Sequence, residues 1–268
     1  MNKNTKKKIG LGLALAGLSL ALYIDNQCFV AKENKVLLQS PKISSPIKIT
    51  QISDFHSNAL KNLDEVMEKI GKFDPDFIVL TGDILDYGED RKIERSLYFL
   101  KNLSKLKKKI FYITGNHEEA GPKLDLFIKE MEKLGIKYLD NDGEYLEVSG
   151  QKIYLYGTSM FNFSYENYQG NENSINILLT HFSKKFRENY KENIDFVFSG
   201  HTHGGQVRFP IIGGIISPGE GFLPNYDKGV YTYKNSTIHI DSGLGNTFLP
   251  LRFLDQIQYS NIILAPVV

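Results

Sequence analysis

The chain has 268 residues, one cysteine, 41% apolar and 24% charged residues, and a formal net charge of +1. A balance so close to neutral leaves no electrostatic footprint for nucleic acid, and a single cysteine excludes an intrachain disulfide framework and a multi-thiolate zinc site. The length suits one sizeable α/β domain or two small ones, and any metal must be held mainly by nitrogen and oxygen.

Lys3, Lys6, Lys7 and Lys8 precede an uncharged run from Ile9 to Ile24. No small-x-small cleavage site follows, and Cys28 lacks the small residues that precede a lipidated cysteine, so the run predicts an uncleaved membrane anchor. The positive-inside rule keeps the lysines in the cytoplasm and places the remainder outside, a single-pass protein of the cell membrane. Residues 1–30 are therefore read as lysine block and anchor, and 47–268 as the globular domain. Between them, 31–46, with Pro41 and Pro46, reads as a linker holding one short extended piece.

Ile47 to Ile52 alternates as a strand that delivers Asp54 and His56 to its C-terminal tip, two residues apart and so on one side of an extended chain. Asn62 to Ile70 has helical spacing and stops at Gly71. Phe77 to Leu80 is a buried strand followed at once by Thr81-Gly82-Asp83. Arg91 to Leu106 is an amphipathic helix. Ile110 to Ile113 is a third strand, ending in Thr114-Gly115-Asn116-His117-Glu118, and Pro122 to Leu134 is the next helix. Polar residues at the C-terminal tips of successive strand–helix units are the expected setting for an α/β active site.

The second half changes character. Glu144 to Val148 and Lys152 to Tyr156 read as a hairpin, and Ile175 to Leu179 is a strand ending at Thr180-His181. Ile194 to Phe198 is another, ending in Ser199-Gly200-His201-Thr202-His203-Gly204-Gly205. Val230 to Tyr233, Thr237 to Ile240 and Gln256 to Leu264 are strand-like. Strand–helix units first and strands later predict two packed sheets with helices outside.

Five of the six histidines (His56, His117, His181, His201 and His203) fall just after apolar strands. With Asp54, Asp83 and Asn116 they exceed the needs of one ion and suit two. Neutral imidazole is the commonest protein metal ligand, and oxygen donors mixed with imidazole suit manganese, iron or zinc. Each cluster alone has an ordinary reading in turn chemistry; together they do not.

The ordered set Asp-x-His, Gly-Asp, Gly-Asn-His-Glu, lone His and Gly-His-x-His resembles the calcineurin-like metallophosphoesterases, from about Ile47 to Leu264. The resemblance implies a four-layered α/β sandwich with two divalent metals above the strand tips, manganese first and zinc or iron as alternatives. It implies that Asp54, His56, Asp83 and His203 hold one ion, and that Asp83 (bridging), Asn116, His181 and His201 hold the other. His117 would contact the phosphate and serve the leaving oxygen. The stretches 200–208, 218–222 and 242–246 resemble a bacterial, often membrane-tethered branch. That branch includes phosphodiesterases and pyrophosphatases acting on UDP-diacylglucosamine.

The implied activity is hydrolysis of a phosphodiester or pyrophosphate by metal-activated water, on a lipid-linked or envelope substrate. The alternatives are a phosphomonoesterase acting on phosphoproteins, and a non-catalytic envelope-binding protein that retains its metal site. An extracytoplasmic domain conflicts with a cytoplasmic UDP-linked lipid and favours an envelope ester. Arg208 is read as a phosphate contact or a structural ion pair. His239 is read as a satisfied sheet residue. The apolar loop 209–224 either borders the site, facing bilayer or acyl chain, or folds onto the core.

Overall fold

Short apolar runs closed by polar turns become the strands of two six-stranded sheets in the computed structural model, which describes residues 2–87, 90–247 and 249–267. Helix α1 (Lys3–Phe29) comes first and is followed without a break by β1 (Lys32–Gln39). The extended piece expected within 31–46 is a strand of eight residues: β1 runs parallel to the C-terminal strand, from Lys32 opposite Gln258 to Gln39 opposite Ala265. Its alternation was too weak to be read because it is an edge strand with one face wet, as its charged first residues show.

The first sheet continues with β2 (Ile47–Ile52), α2 (Leu63–Phe73), β3 (Phe77–Thr81), α3 (Asp90–Ser104), β4 (Lys109–Ile113), α4 (Asn116–Ala120), α5 (Leu124–Lys133) and β5 (Ile136–Tyr138). Strands β2 to β5 are parallel. The second sheet takes β6 (Asp142–Val148), β7 (Gln151–Gly157), β8 (Ile175–Leu179), α6 (Ser183–Glu188) and β9 (Phe196–Ser199). Two small hairpins follow, β10 (Arg208–Phe209) with β11 (Gly213–Gly214) and β12 (Ile216–Ser217) with β13 (Gly221–Phe222). Then come β14 (Gly229–Tyr233), β15 (Ser236–Ile240) and β16 (Gln258–Ala265).

The orders are β1-β16-β2-β3-β4-β5 and β14-β15-β9-β8-β7-β6. Both sheets are mixed: β16 meets β2 antiparallel in the first, and in the second β6–β7 and β14–β15 are antiparallel while β7, β8, β9 and β15 run parallel. Between them lies a core that includes Ile49, Val79, Phe111, Ile177 and Phe198. Helices α2, α3 and α5 cover the outer face of the first sheet through Val66, Ile70, Phe99, Leu100 and Phe127. The outer face of the second is closed by α6 and by packed tyrosines, among them Tyr154, Tyr156, Tyr165 and Tyr168. The fold is therefore helices, sheet, sheet and a thinner outer layer, as expected.

Candidate metal centre

Parallel strands place their C-terminal tips together, and here the tips of two facing sheets converge. Asp54 and His56 follow β2, Asp83 follows β3, and Asn116 and His117 open α4 after β4. His181 follows β8, and His201 and His203 follow β9. Residues spread over 150 positions thus meet. Two donor groups form in which every ligating atom lies within 4.8 Å of the others, Asp54–His56–His203 and Asp83–His181–His201. A third group, His56–Asp83–His117, overlaps both.

Asp83 sits between the two main groups: its Oδ2 is 3.2 Å from His181 Nε2 and 3.6 Å from His56 Nε2. Asp54 Oδ1 is 3.5 Å from His203 Nε2 and 3.9 Å from His56 Nε2. Two pairs of imidazole nitrogens face each other closely, His56 Nε2 to His203 Nε2 at 3.1 Å and His201 Nδ1 to His181 Nε2 at 3.2 Å. Ring nitrogens crowded this way beside carboxylates are an arrangement that positive charge among them would stabilise. The Asn116 side-chain oxygen is buried and unpartnered among the described residues, which a cation would remedy. The donor set fits divalent cations of the oxygen-and-imidazole class.

The electrostatics carry the same demand. Burial pushes His56 down to about 4 and His201 down to about 3, and holds His203 well below the usual range, so all three rings are neutral and ready to ligate. Burial would lower His181 too, but Asp83 beside it raises it to about 10. His181 in turn holds Asp83 well below the usual carboxylate range against its own burial. Burial raises Asp54 to about 6, and the nearby Asp83 charge adds to this. A proton on His181 occupies the place that a metal charge would fill.

The residues are held by backbone that few side chains adopt. Asp54, His56, Asp83, His201 and His203 all have positive φ, between 47° and 72°. Such conformations persist only where surroundings over-determine them. His201 N–H donates to both Asp54 oxygens at 3.1 and 3.0 Å, and Ser53 Oγ also bonds that carboxylate. His117 N–H donates to Asp83 Oδ1 at 2.8 Å. The Thr81 carbonyl accepts from His181 Nδ1 at 2.8 Å, fixing the tautomer that presents Nε2 to the site. Close approach leaves no room for side chains at two neighbours: a β-carbon on Gly115 would lie 2.2 Å from Asp83 Oδ1, and one on Gly200 2.3 Å from Asp54 Oδ2.

Several supporting residues escaped the sequence reading. Asp86 Oδ1 accepts from His117 Nδ1 at 2.8 Å, and Lys92 donates to its other oxygen at 2.7 Å. Burial opposes the pair, yet the bond lowers Asp86 to about 2 and raises His117. Buried Glu118 accepts from the Asp83, Leu85 and Gly115 N–H groups, each at 2.9 Å, and so shapes the loop carrying Asp83. Arg252, fully buried, donates to Asp255 at 2.9 Å and to the Ser242 and Gly245 carbonyls at 2.7 Å. It also lies 3.4 Å from His203 Nδ1. Asp86 follows Gly82-Asp83 so closely that its spacing was a usable signal; Arg252 and Asp255 offered none, being ordinary charges in a loop.

Arg208 takes the ion-pair alternative, with its Nη1 2.6 Å from Asp227 Oδ2 and donating to the Gly204 carbonyl at 2.6 Å. His239 packs between the sheets and is satisfied on one side only: Nδ1 bonds Gln51 Oε1 at 2.7 Å, while the buried Nε2 has no partner among the described residues. The 242–246 stretch packs directly on the site, since Leu244 N–H donates to the Ser53 carbonyl at 2.9 Å.

Comparison with known proteins agrees with this geometry. The family model described as calcineurin-like phosphoesterase matches residues 47–205. An uncharacterized metallophosphoesterase of Bacillus subtilis, YkuE, is 31% identical over 77% of this chain and 75% of its own length. One from Helicobacter pylori is 28% identical over 97% of this chain and 70% of its own. A transmembrane protein with metallophosphoesterase domain from Danio rerio is 24% identical over 84% of this chain and 54% of its own. Among solved structures, one described as Haemophilus influenzae NAD nucleotidase has a TM-score of 0.52 at 14% identity, covering 75% of this chain and 46% of that one. That likeness shows the fold alone.

Proposed function

The chain belongs to the calcineurin-like phosphoesterase family, a family of metal-dependent phosphoester hydrolases, and from that membership we propose that it hydrolyses a phosphodiester or pyrophosphate bond at a two-metal centre. The observation that carries this reading is the pair of donor groups meeting at Asp83. In it Asp54, His56, Asp83 and His203 hold one divalent ion, and Asp83, Asn116, His181 and His201 hold the other, manganese being the first choice. Ions bound there supply Lewis acidity toward a phosphoryl oxygen and lower the pKa of the water that attacks.

The chain's own residues do the rest. Asp86 accepts a hydrogen bond from His117 Nδ1–H and, against the ring's burial, raises its pKa, which favours a second proton at Nε2. That proton passes to the leaving oxygen. Backbone N–H groups and Glu118 keep Asp54 and Asp83 in place, so the carboxylates need no reorganisation when substrate arrives.

We further propose that α1 anchors this domain in the cell membrane with the domain outside, where its ester is lipid-linked or belongs to the envelope. Among the described residues α1 is the one helix long and apolar enough to span a bilayer. The helix end and β1 belong to the globular unit, so the anchor gives way to the domain near Asp25 rather than through a linker. Reporter fusions at the C-terminus test the orientation: an active phosphatase fusion and a dark cytoplasmic reporter are expected, and the reverse pattern overturns it.

The activity is tested on the full chain in detergent, because removing residues before Pro46 would delete β1. After chelation and reloading with manganese or zinc, a chromogenic phosphodiester is compared with its matching monoester. Metal-dependent diester cleavage that is lost in Asp83→Asn and His201→Ala is the expected result. Preference for the monoester replaces this reading with a phosphomonoesterase, and no turnover of either with two metals bound replaces it with a binding role.

A further inference from the structure

The apolar segment 209–224 does not fold onto the core. It forms the two small hairpins, and Ile211, Ile212, Ile216 and Phe222 stand 60% to 107% exposed. Leu249, from the neighbouring 249–254 stretch, is 60% exposed. Ile211 at φ 73°, Leu223 at 49° and Leu254 at 54° hold left-handed backbone on this same surface. For branched and bulky side chains that conformation is costly.

This surface is continuous with the end of α1. The Tyr23 ring packs edge-on to Phe253 at 5.7 Å, and its hydroxyl accepts from Leu254 N–H at 3.2 Å. Phe253 in turn meets Phe209 at 6.1 Å. Tyr23 is the penultimate residue of the apolar run Ile9–Ile24, so the level at which that run ends is the level of the exposed surface. No spacer separates them: Gln27 and Cys28 are buried, Ile257 N–H donates to the Gln27 carbonyl at 3.0 Å, and Lys61 N–H donates to that of Phe29 at 2.8 Å. A groove of about 760 Å³, walled by Val207, Ile216, Pro218, Leu249 and Leu251, opens on the same face. It reaches Gly219, where a β-carbon would stand 2.6 Å from the Phe182 ring and 3.4 Å from His201 Nε2, the ring nitrogen other than the one that faces His181.

We infer that the two hairpins and the 249–254 stretch form a bilayer-docking face, seated in the interfacial layer of the membrane that α1 enters, with the groove leading from that layer to the metal centre. The occupant is the phospholipid surface itself. The inference rests on the membrane reading of α1 and narrows the proposed substrate to a phosphoester carrying an apolar chain. Apolar side chains seated roughly 5–10 Å into the headgroup and acyl boundary bind by buried area, and the rigid helix junction fixes which face meets that boundary.

The test uses the full chain in vesicles of phosphatidylglycerol and phosphatidylethanolamine. A polarity-sensitive fluorophore is attached to single cysteines made by Ile211→Cys, Phe222→Cys, Leu13→Cys and Lys152→Cys; native Cys28 is fully buried and stays. Lys152 is the second residue of β7, at the end of the sheet opposite the strand tips. The expected result is a blue shift and loss of most emission to spin-labelled lipid at 13, 211 and 222, with none at 152. Quenching at 13 while 211 and 222 keep aqueous emission overturns the docking face and leaves the anchor standing. No quenching at 13 removes the anchor itself, and the inference with it. Protection of 211 and 222 that rises with protein concentration without vesicles assigns the face to a second copy and also overturns it.

Discussion

Substituting Gly200 by alanine tests whether the carboxylate of Asp54 is held where the metal reading needs it. Gly200 has no left-handed φ, so alanine is allowed by its own backbone and the whole effect is the methyl group. That methyl would stand 1.7 Å from Ser53 Oγ and 2.3 Å from Asp54 Oδ2, where ordinary contact begins near ~3.5 Å. The carboxylate cannot slide away cheaply, since it accepts two bonds from His201 N–H and one from Ser53. Overpacking of this kind costs about 1–3 kcal/mol, and a group displaced by ~1 Å from its working position loses about 10²-fold in rate. Gly150→Ala is the control: its φ is 73° with nothing within 4 Å, so it should lose roughly 1 kcal/mol through backbone alone and no activity. Metal content after reloading, kcat/KM on the chromogenic ester and thermal unfolding are measured for both. Gly200→Ala with full metal content and kcat/KM within about twofold of the parent would refute the reasoning.

Asp86→Asn should keep its metals and lower kcat by roughly 10- to 100-fold. Asp86 raises His117, so its loss should also shift the alkaline limb of the pH–rate profile to lower pH; an unmoved limb separates Asp86 from His117. Arg252→Met takes one of two cations from Asp255, the other being Lys228, and leaves two buried carbonyls short of a donor, so it should cost about 1–3 kcal/mol by urea unfolding, against near-neutrality if the guanidinium merely fills space. Burial raises Asp241 to about 7, and its Oδ2 has no partner among the described residues. Between the unfolded value of about 4 and that folded value, only the unfolded chain sheds the proton, so stability falls as pH rises and levels off above 7. Asp241→Asn should therefore gain about 1–4 kcal/mol at pH 7.5 and little at pH 4.5; equal gains at both would sink the argument.

Five motif blocks and the apolar runs before them were enough to read two sheets with helices outside. They also picked out the seven aspartate and histidine side chains that the donor groups contain. This was legible because period-two burial and strand-tip polarity are local properties, and a metal needs particular donor atoms whatever the fold. The long apolar helix at the N-terminus was legible for the same reason, as a matter of length and charge along one stretch.

What was not legible depended on contacts between distant parts. The segment 32–39 is a strand only because β16, more than two hundred residues away, offers it an edge. Arg252 matters because the 242–245 loop and the His203 turn converge on it. Arg208 was open between phosphate and ion pair until Asp227 was placed beside it. The left-handed backbone at five of the predicted ligands is likewise imposed from outside, by tight packing of glycines and loops around Asp54 and Asp83. The sequence determined which chemistry the chain can hold, because donor atoms are written in residue types. Only the tertiary structure decided where that chemistry faces, because its orientation relative to α1 and the exposed hairpins is a relation between surfaces that no single stretch contains.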